Sequence, residues 1–138
     1  MPSLPIEEQV AKEFASKYGY LPGQAKQLSA FVKSIHHFSQ YIASNKYFST
    51  ELNRLIAVLM LDCDILSLKA ERVRMVAEDF YSEVELAVLA KRKPLLQKPE
   101  VDKFRAELKA LNAEALETYS RTLSLMEEIK REYQQRLG

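Results

Sequence analysis

The residues most able to do chemistry are few and scattered. His36 and His37 are the only histidines. Neighbours on a helix point about 100° apart, so the two cannot face one metal. Zinc also wants four N, O or S ligands, and no second cluster lies beside them in sequence. They read as a polar-face pair, ahead of metal or acid–base work. Cys63 is the only cysteine, which excludes an internal disulfide. A reactive thiolate needs positive charge nearby, and its sequence neighbours are Asp62 and Asp64. Its place between Leu59 and Leu66 makes it a small core hydrophobe. Lys91-Arg92-Lys93 could hold phosphate or nucleic acid, but cations also gather where a helix ends. Glu71, Glu78, Glu83 and Glu85 lack the Glu-x-x-His company of a di-iron bundle and read as a solvated face. Gly19, Gly23 and Gly138 are the only glycines, too few for a phosphate-cradling loop. These residues designate no catalytic, cofactor or metal site.

The elements that would position them are helices. No glycine or proline occurs between residues 24 and 93, or between 100 and 137. These residue types are the strongest helix breakers, at about 1 and 3 kcal/mol in a helix interior. The expected fold is all-α: an elongated antiparallel bundle of one domain over residues 1–138. Residues 1–48 form two shorter helices, 50–93 one long helix, and 99–137 another. The first helix starts at Ser3 with Pro5 in its first turn, carries Ile6, Val10, Phe14 and Tyr18, and stops at Gly19. Tyr20-Leu21-Pro22-Gly23 reads as a turn. The second runs from about Ala25 to Asn45 with Leu28, Phe31, Val32, Ile35, Phe38 and Ile42 on one face.

The long helices carry longer stripes. Ser49 and Thr50 can cap the third helix, and Glu51 suits its first turn. Its stripe runs Leu52, Leu55, Ile56, Leu59, Cys63, Leu66, Ala70, Val73, Ala77, Phe80, Val84 and Val88, ending at Lys91-Arg92-Lys93 and Pro94. The fourth carries Val101, Phe104, Leu108, Leu111, Ala115, Tyr119, Leu123, Met126, Ile129, Tyr133 and Leu137. Glu117–Arg121 and Glu127–Arg131 suit outward i,i+4 pairs. The mean step of this last stripe is about 3.6, against the 3.5 of a strict coiled coil, so gently crossing helices are expected in place of a long zipper.

Composition narrows the function classes. Lys and Arg number 20 against 19 Asp and Glu, and no stretch is basic enough for a general nucleic-acid binder. There is no Trp, and the other aromatics sit at core spacing rather than on a stacking platform. The longest apolar run, Leu55 to Leu61, is far short of the roughly 20 residues of a membrane span. The first residues lack the charged and apolar regions of a signal peptide. A soluble cytoplasmic protein is expected.

Two family resemblances add to this. Leu52 to Glu78 resembles the first helix of all-helical chorismate mutases. That likeness implies Arg54 and Arg72 holding a dianionic substrate, with Glu83 near where the family has a lysine. Over residues 61–129 the chain is similar to FlgN-type flagellar export chaperones. The likeness lies in the acidic-apolar start (Asp62, Asp64, Leu66), Glu71-Arg72, the end Lys91-Arg92-Lys93-Pro94-Leu95-Leu96, and Leu108-Lys109-Ala110-Leu111-Asn112-Ala113-Glu114-Ala115-Leu116. It covers about half the chain; the two N-terminal helices and Pro94 depart from the family pattern. It implies a cytoplasmic, non-enzymatic chaperone without cofactor that captures an amphipathic client helix. The groove residues would be Leu116, Tyr119, Leu123, Met126 and Ile129, with Asn112 as a polar marker. The competing expectations are that these side chains bury against residues 59–88 of the same chain, or that a homodimer or larger self-assembly covers the stripe.

Overall fold

The computed structural model describes residues 8–10, 12, 21–45, 47 and 49–137. Among the described residues there are helices and their connections, and no strand. Residues 8–10 and 12 are helical, and Val10 is fully buried. The rest of the expected first helix lies outside the described residues. Three helices then follow: α1 (Leu21–Ala43), α2 (Thr50–Leu89) and α3 (Lys98–Leu137). The last two have 40 residues each, or about 60 Å at 1.5 Å per residue.

Helix boundaries follow local chemistry. Leu21, Pro22 and Gly23 belong to α1 and not to a turn. Proline is tolerated in a first turn, where its missing N–H has no intrahelical acceptor to lose. Ser49 caps α2, its hydroxyl accepting the Leu52 N–H at 3.1 Å. The Ser49 N–H is taken by the Glu132 carboxylate, which ties the start of α2 to the end of α3. Between α1 and α2, the Tyr47 hydroxyl donates to the Ile42 carbonyl at 2.8 Å, and Asn53 brackets the Tyr47 backbone.

α2 ends at Leu89, before the three cations. Arg92 N–H reaches back to the Ala87 carbonyl at 3.0 Å and Lys91 N–H to Val88 at 3.2 Å. This pair of bonds is the Schellman closure, which needs a left-handed residue at its corner. Lys91 supplies it with φ 53°, although glycine is the usual occupant. Arg92 then folds onto Glu83 at 2.7 Å, and Glu83 also accepts the Leu95 N–H. The cations therefore do not sit in the last turn of α2.

The buried side chains follow a 3.5-residue rule more strictly than the apolar residues do. On α1 they include Ala25, Leu28, Val32, Ile35, Ser39 and Ile42; on α2, Leu52, Ile56, Leu59, Cys63, Leu66, Ala70, Val73, Ala77, Phe80, Val84 and Ala87. On α3 they are Val101, Phe104, Leu108, Leu111, Ala115, Thr118, Thr122 and Leu125. Each set alternates steps of three and four, the spacing that keeps a seam against a neighbour over many turns. The expectation of a seam drifting at 3.6 is thus corrected.

Cross-helix pairs fix the register. Asp62 meets Arg121, Lys69 meets Glu114, and Arg72 lies near Glu107. Phe80 packs edge-on against Phe104 at 5.3 Å between ring centres. Positions rise along α2 as they fall along α3, so α3 returns along α2. The expected outward pairs change partners. Arg121 reaches Asp62 across the seam instead of Glu117, and Arg131 takes Glu128, one residue closer than Glu127.

Candidate functional site

α3's apolar row and its packed seam part company after Ala115. Up to that residue they coincide. Beyond it the sequence places Tyr119 and Leu123 where the seam takes Thr118 and Thr122, one residue earlier. One residue is about 100° of rotation, enough to move a side chain from core to surface. The threonines are tolerated inside because each hydroxyl has an acceptor. Thr118 donates to the Glu114 carbonyl and Thr122 to the Thr118 carbonyl, both at 2.9 Å. Buried polar atoms normally find partners in this way.

The displaced apolar residues Tyr119 and Leu123 stay exposed, and with Leu116 they form an apolar row on the surface of α3. Leu116, Tyr119 and Leu123 are 54%, 42% and 46% exposed. The Tyr119 ring packs against Phe31 of α1, 5.7 Å between centres and tilted by 59°. Next to this contact a cavity of about 620 Å³ is lined by Gln24, Gln27, Leu28 and Phe31 from α1 and by Arg105, Leu108, Lys109, Asn112 and Leu116 from α3. Phe38, on the Phe31 side of α1 by helical spacing, is also exposed. The five residues expected to form a binding face therefore divide. Leu116, Tyr119 and Leu123 are open, whereas Met126 and Ile129 are partly buried and pack against the core. Tyr133 and Leu137 are exposed. Of the apolar face expected on α1, Phe31 is partly buried against the core and Phe38 is exposed, which depends on where the neighbouring helices stand and not on spacing.

The chemical residues stay apart. His36 is held from both ring nitrogens, Nε2 at 2.8 Å from Asp64 and Nδ1 at 3.3 Å from the Ser67 hydroxyl. His37 is exposed. Cys63 is buried with the Ser39 hydroxyl 3.4 Å away, and burial raises its thiol pKa above the ordinary value. Arg54 pairs with Glu51 on the surface, and Arg72 faces solvent near Glu107. Eighteen residues separate these arginines, about 27 Å along α2, so the structure does not bring them to one ligand. Glu83, near the position of the mutase lysine, is occupied by Arg92 and the Leu95 amide, which together hold its carboxyl below the usual value. Glu71 and Glu78 both pair with Arg74. Among the described residues no three His, Cys, Asp or Glu side chains form a metal-binding group. No helix among them is long and apolar enough to cross a membrane.

The fold thus defines an all-α protein packed through heptad-spaced seams, with apolar surface left over. No protein-family model matches the chain, and no curated protein or solved structure matches it.

Proposed function

We propose that this protein is a non-enzymatic helical binding protein of the cytoplasm, an elongated antiparallel bundle that captures an amphipathic client helix in the groove between α1 and α3. The observation that carries this reading is the exposed row of Leu116, Tyr119 and Leu123, with Leu116 lining the α1–α3 cavity and Tyr119 packed on Phe31. An amphipathic helix docks by laying apolar side chains, three or four residues apart, into such a groove. Tyr119 and Phe31 offer rigid aromatic area. Gln24, Gln27 and Asn112 supply polar partners along the rim. The resemblance to FlgN-type chaperones makes an export client the most concrete version, with the same last-helix residues facing it.

The test is capture of client protein from lysate of the source organism by the purified chain, followed by size exclusion with light scattering. Leu116→Asp and Leu123→Asp are the informative variants, because both side chains are already half in water. Loss of capture with helicity unchanged supports the groove. Undiminished capture by both variants removes it. Met126→Asp is less informative, since that side chain also packs against the core.

A further inference from the structure

α2 carries a second seam. Its exposed large apolar residues are Leu55, Val58, Leu61, Ile65, Leu68, Met75, Leu86 and Leu89. All but Leu55 fall on one line, with steps of three and four through Val58, Leu61, Ile65, Leu68, Arg72, Met75, Asp79, Ser82, Leu86 and Leu89. That is the same 3.5-residue spacing as the inner seam, rotated to the outer face of the helix. Outer positions of a packed helix are ordinarily polar. Here Leu68 is 74% exposed and Leu61 63%. A heptad-spaced apolar row is the pattern by which a helix meets another helix.

The charges within the row say which helix. A parallel second copy would stack Arg72 on Arg72 and Asp79 on Asp79, in each case like on like. A second copy running the opposite way, with its two-fold axis opposite Leu66 and Ser67, makes a different set of layers. Ile65 then faces Leu68 of the second copy, Val58 faces Met75, and Leu61 lies along the stem of Arg72. Arg54 faces Asp79 at both ends. Antiparallel registers shifted one way set Asp79 against Leu61, Leu68 or Met75, and the register one heptad the other way sets Arg54 against Arg72. Arg54 is free to make this exchange, because its partner in the single chain is Glu51, an exposed i,i+3 pair of the kind worth about 0–1 kcal/mol. A two-fold pairing of this kind is self-complementary, so one surface patch serves both copies.

We infer that the outer face of α2 is a homodimer interface, in which Val58, Leu61, Ile65, Leu68 and Met75 pack against the same residues of a second copy running antiparallel, closed at each end by Arg54 and Asp79. The face is separate from the α1–α3 groove, so a dimer leaves both grooves accessible.

Sedimentation velocity of the full chain across micromolar concentrations tests this. A monomer–dimer equilibrium is expected, and Leu68→Asp gives a monomer with unchanged circular dichroism. Arg54→Asp weakens the dimer by roughly tenfold, since two exposed ion pairs become repulsions. Arg54→Asp combined with Asp79→Arg restores it. A monomer at all concentrations overturns the inference and leaves the face to another partner. A dimer unaffected by Leu68→Asp overturns it too, and a double swap that fails to restore association overturns the antiparallel register. Leu123→Asp leaves the dimer intact, so this result and the groove experiment fail separately.

Discussion

The two halves of α3 carry apolar residues at similar density and meet different fates. In the first half, Val101, Phe104, Leu108, Leu111 and Ala115 are all buried against α2 and α1. In the second half the buried positions are Thr118, Thr122 and Leu125, while Leu116, Tyr119 and Leu123 stay exposed. The neighbouring helices hold one seam at 3.5 residues per turn throughout. The sequence row keeps that beat only to Ala115 and then shifts by one residue. The apolar row is therefore core where it stays in register with its neighbours, exposed at Tyr119 and Leu123 where it slips, and half-buried again at Met126 and Ile129. The same comparison holds within α2, where one row is buried and a second row of equal period is not.

Truncating one large residue from each half of α3 should give the largest contrast in stability. Phe104→Ala should lower stability by about 3–5 kcal/mol, because it removes a buried ring and its contact with Phe80. Leu123→Ala should stay within about 0.5 kcal/mol, as surface changes usually do. Urea denaturation measures both, and similar losses would show that the second half is as buried as the first. Ala115 sits where the two rows separate and is fully buried. Ala115→Leu should cost about 1–3 kcal/mol through overpacking, read from the same curves. A neutral result would mean that the seam is loose at this point.

Changes in the turn between α2 and α3 should have smaller effects. Lys91 holds a left-handed backbone at φ 53°. Lys91→Gly should raise stability by about 1 kcal/mol, since the left-handed penalty of an L side chain disappears. Thermal unfolding would show this as a higher midpoint; a lower midpoint would mean that the turn is not in that conformation. Glu83 gives a pH-dependent effect. Its carboxyl is held below the ordinary 4.5, first by the Arg92 hydrogen bond and then by the Leu95 amide. A depressed folded value means that the contribution is present above 4.5 and lost as pH falls through the lower folded value. Exchange of the Leu95 amide, corrected for intrinsic rate, should therefore quicken in acid. Glu83→Gln should weaken that dependence.

Much of this was legible in the residues. The absence of Gly and Pro over two long stretches allows two 40-residue helices, because nothing in them interrupts the hydrogen-bond ladder. Ser49 was readable as a cap from its hydroxyl and the Glu51 that follows. Cys63 was readable as core from its place in the α2 stripe. The end of α2 was less so: a lysine at the left-handed corner gives no sign, because the closure depends on backbone bonds back to Ala87 and Val88.

Local sequence determined that these segments are helices, roughly where they begin, and which faces are apolar. Propensity, caps and periodicity act within a few residues and are written into neighbouring side chains. Only the tertiary arrangement decided which apolar face is covered. Thr118 and Thr122 are inside and Tyr119 and Leu123 outside because burial depends on where α1 and α2 stand, not on the hydrophobicity of the residue itself. The groove beside Phe31 and the bare outer row of α2 both follow from that same cause: more apolar surface than the described helices can cover with one another.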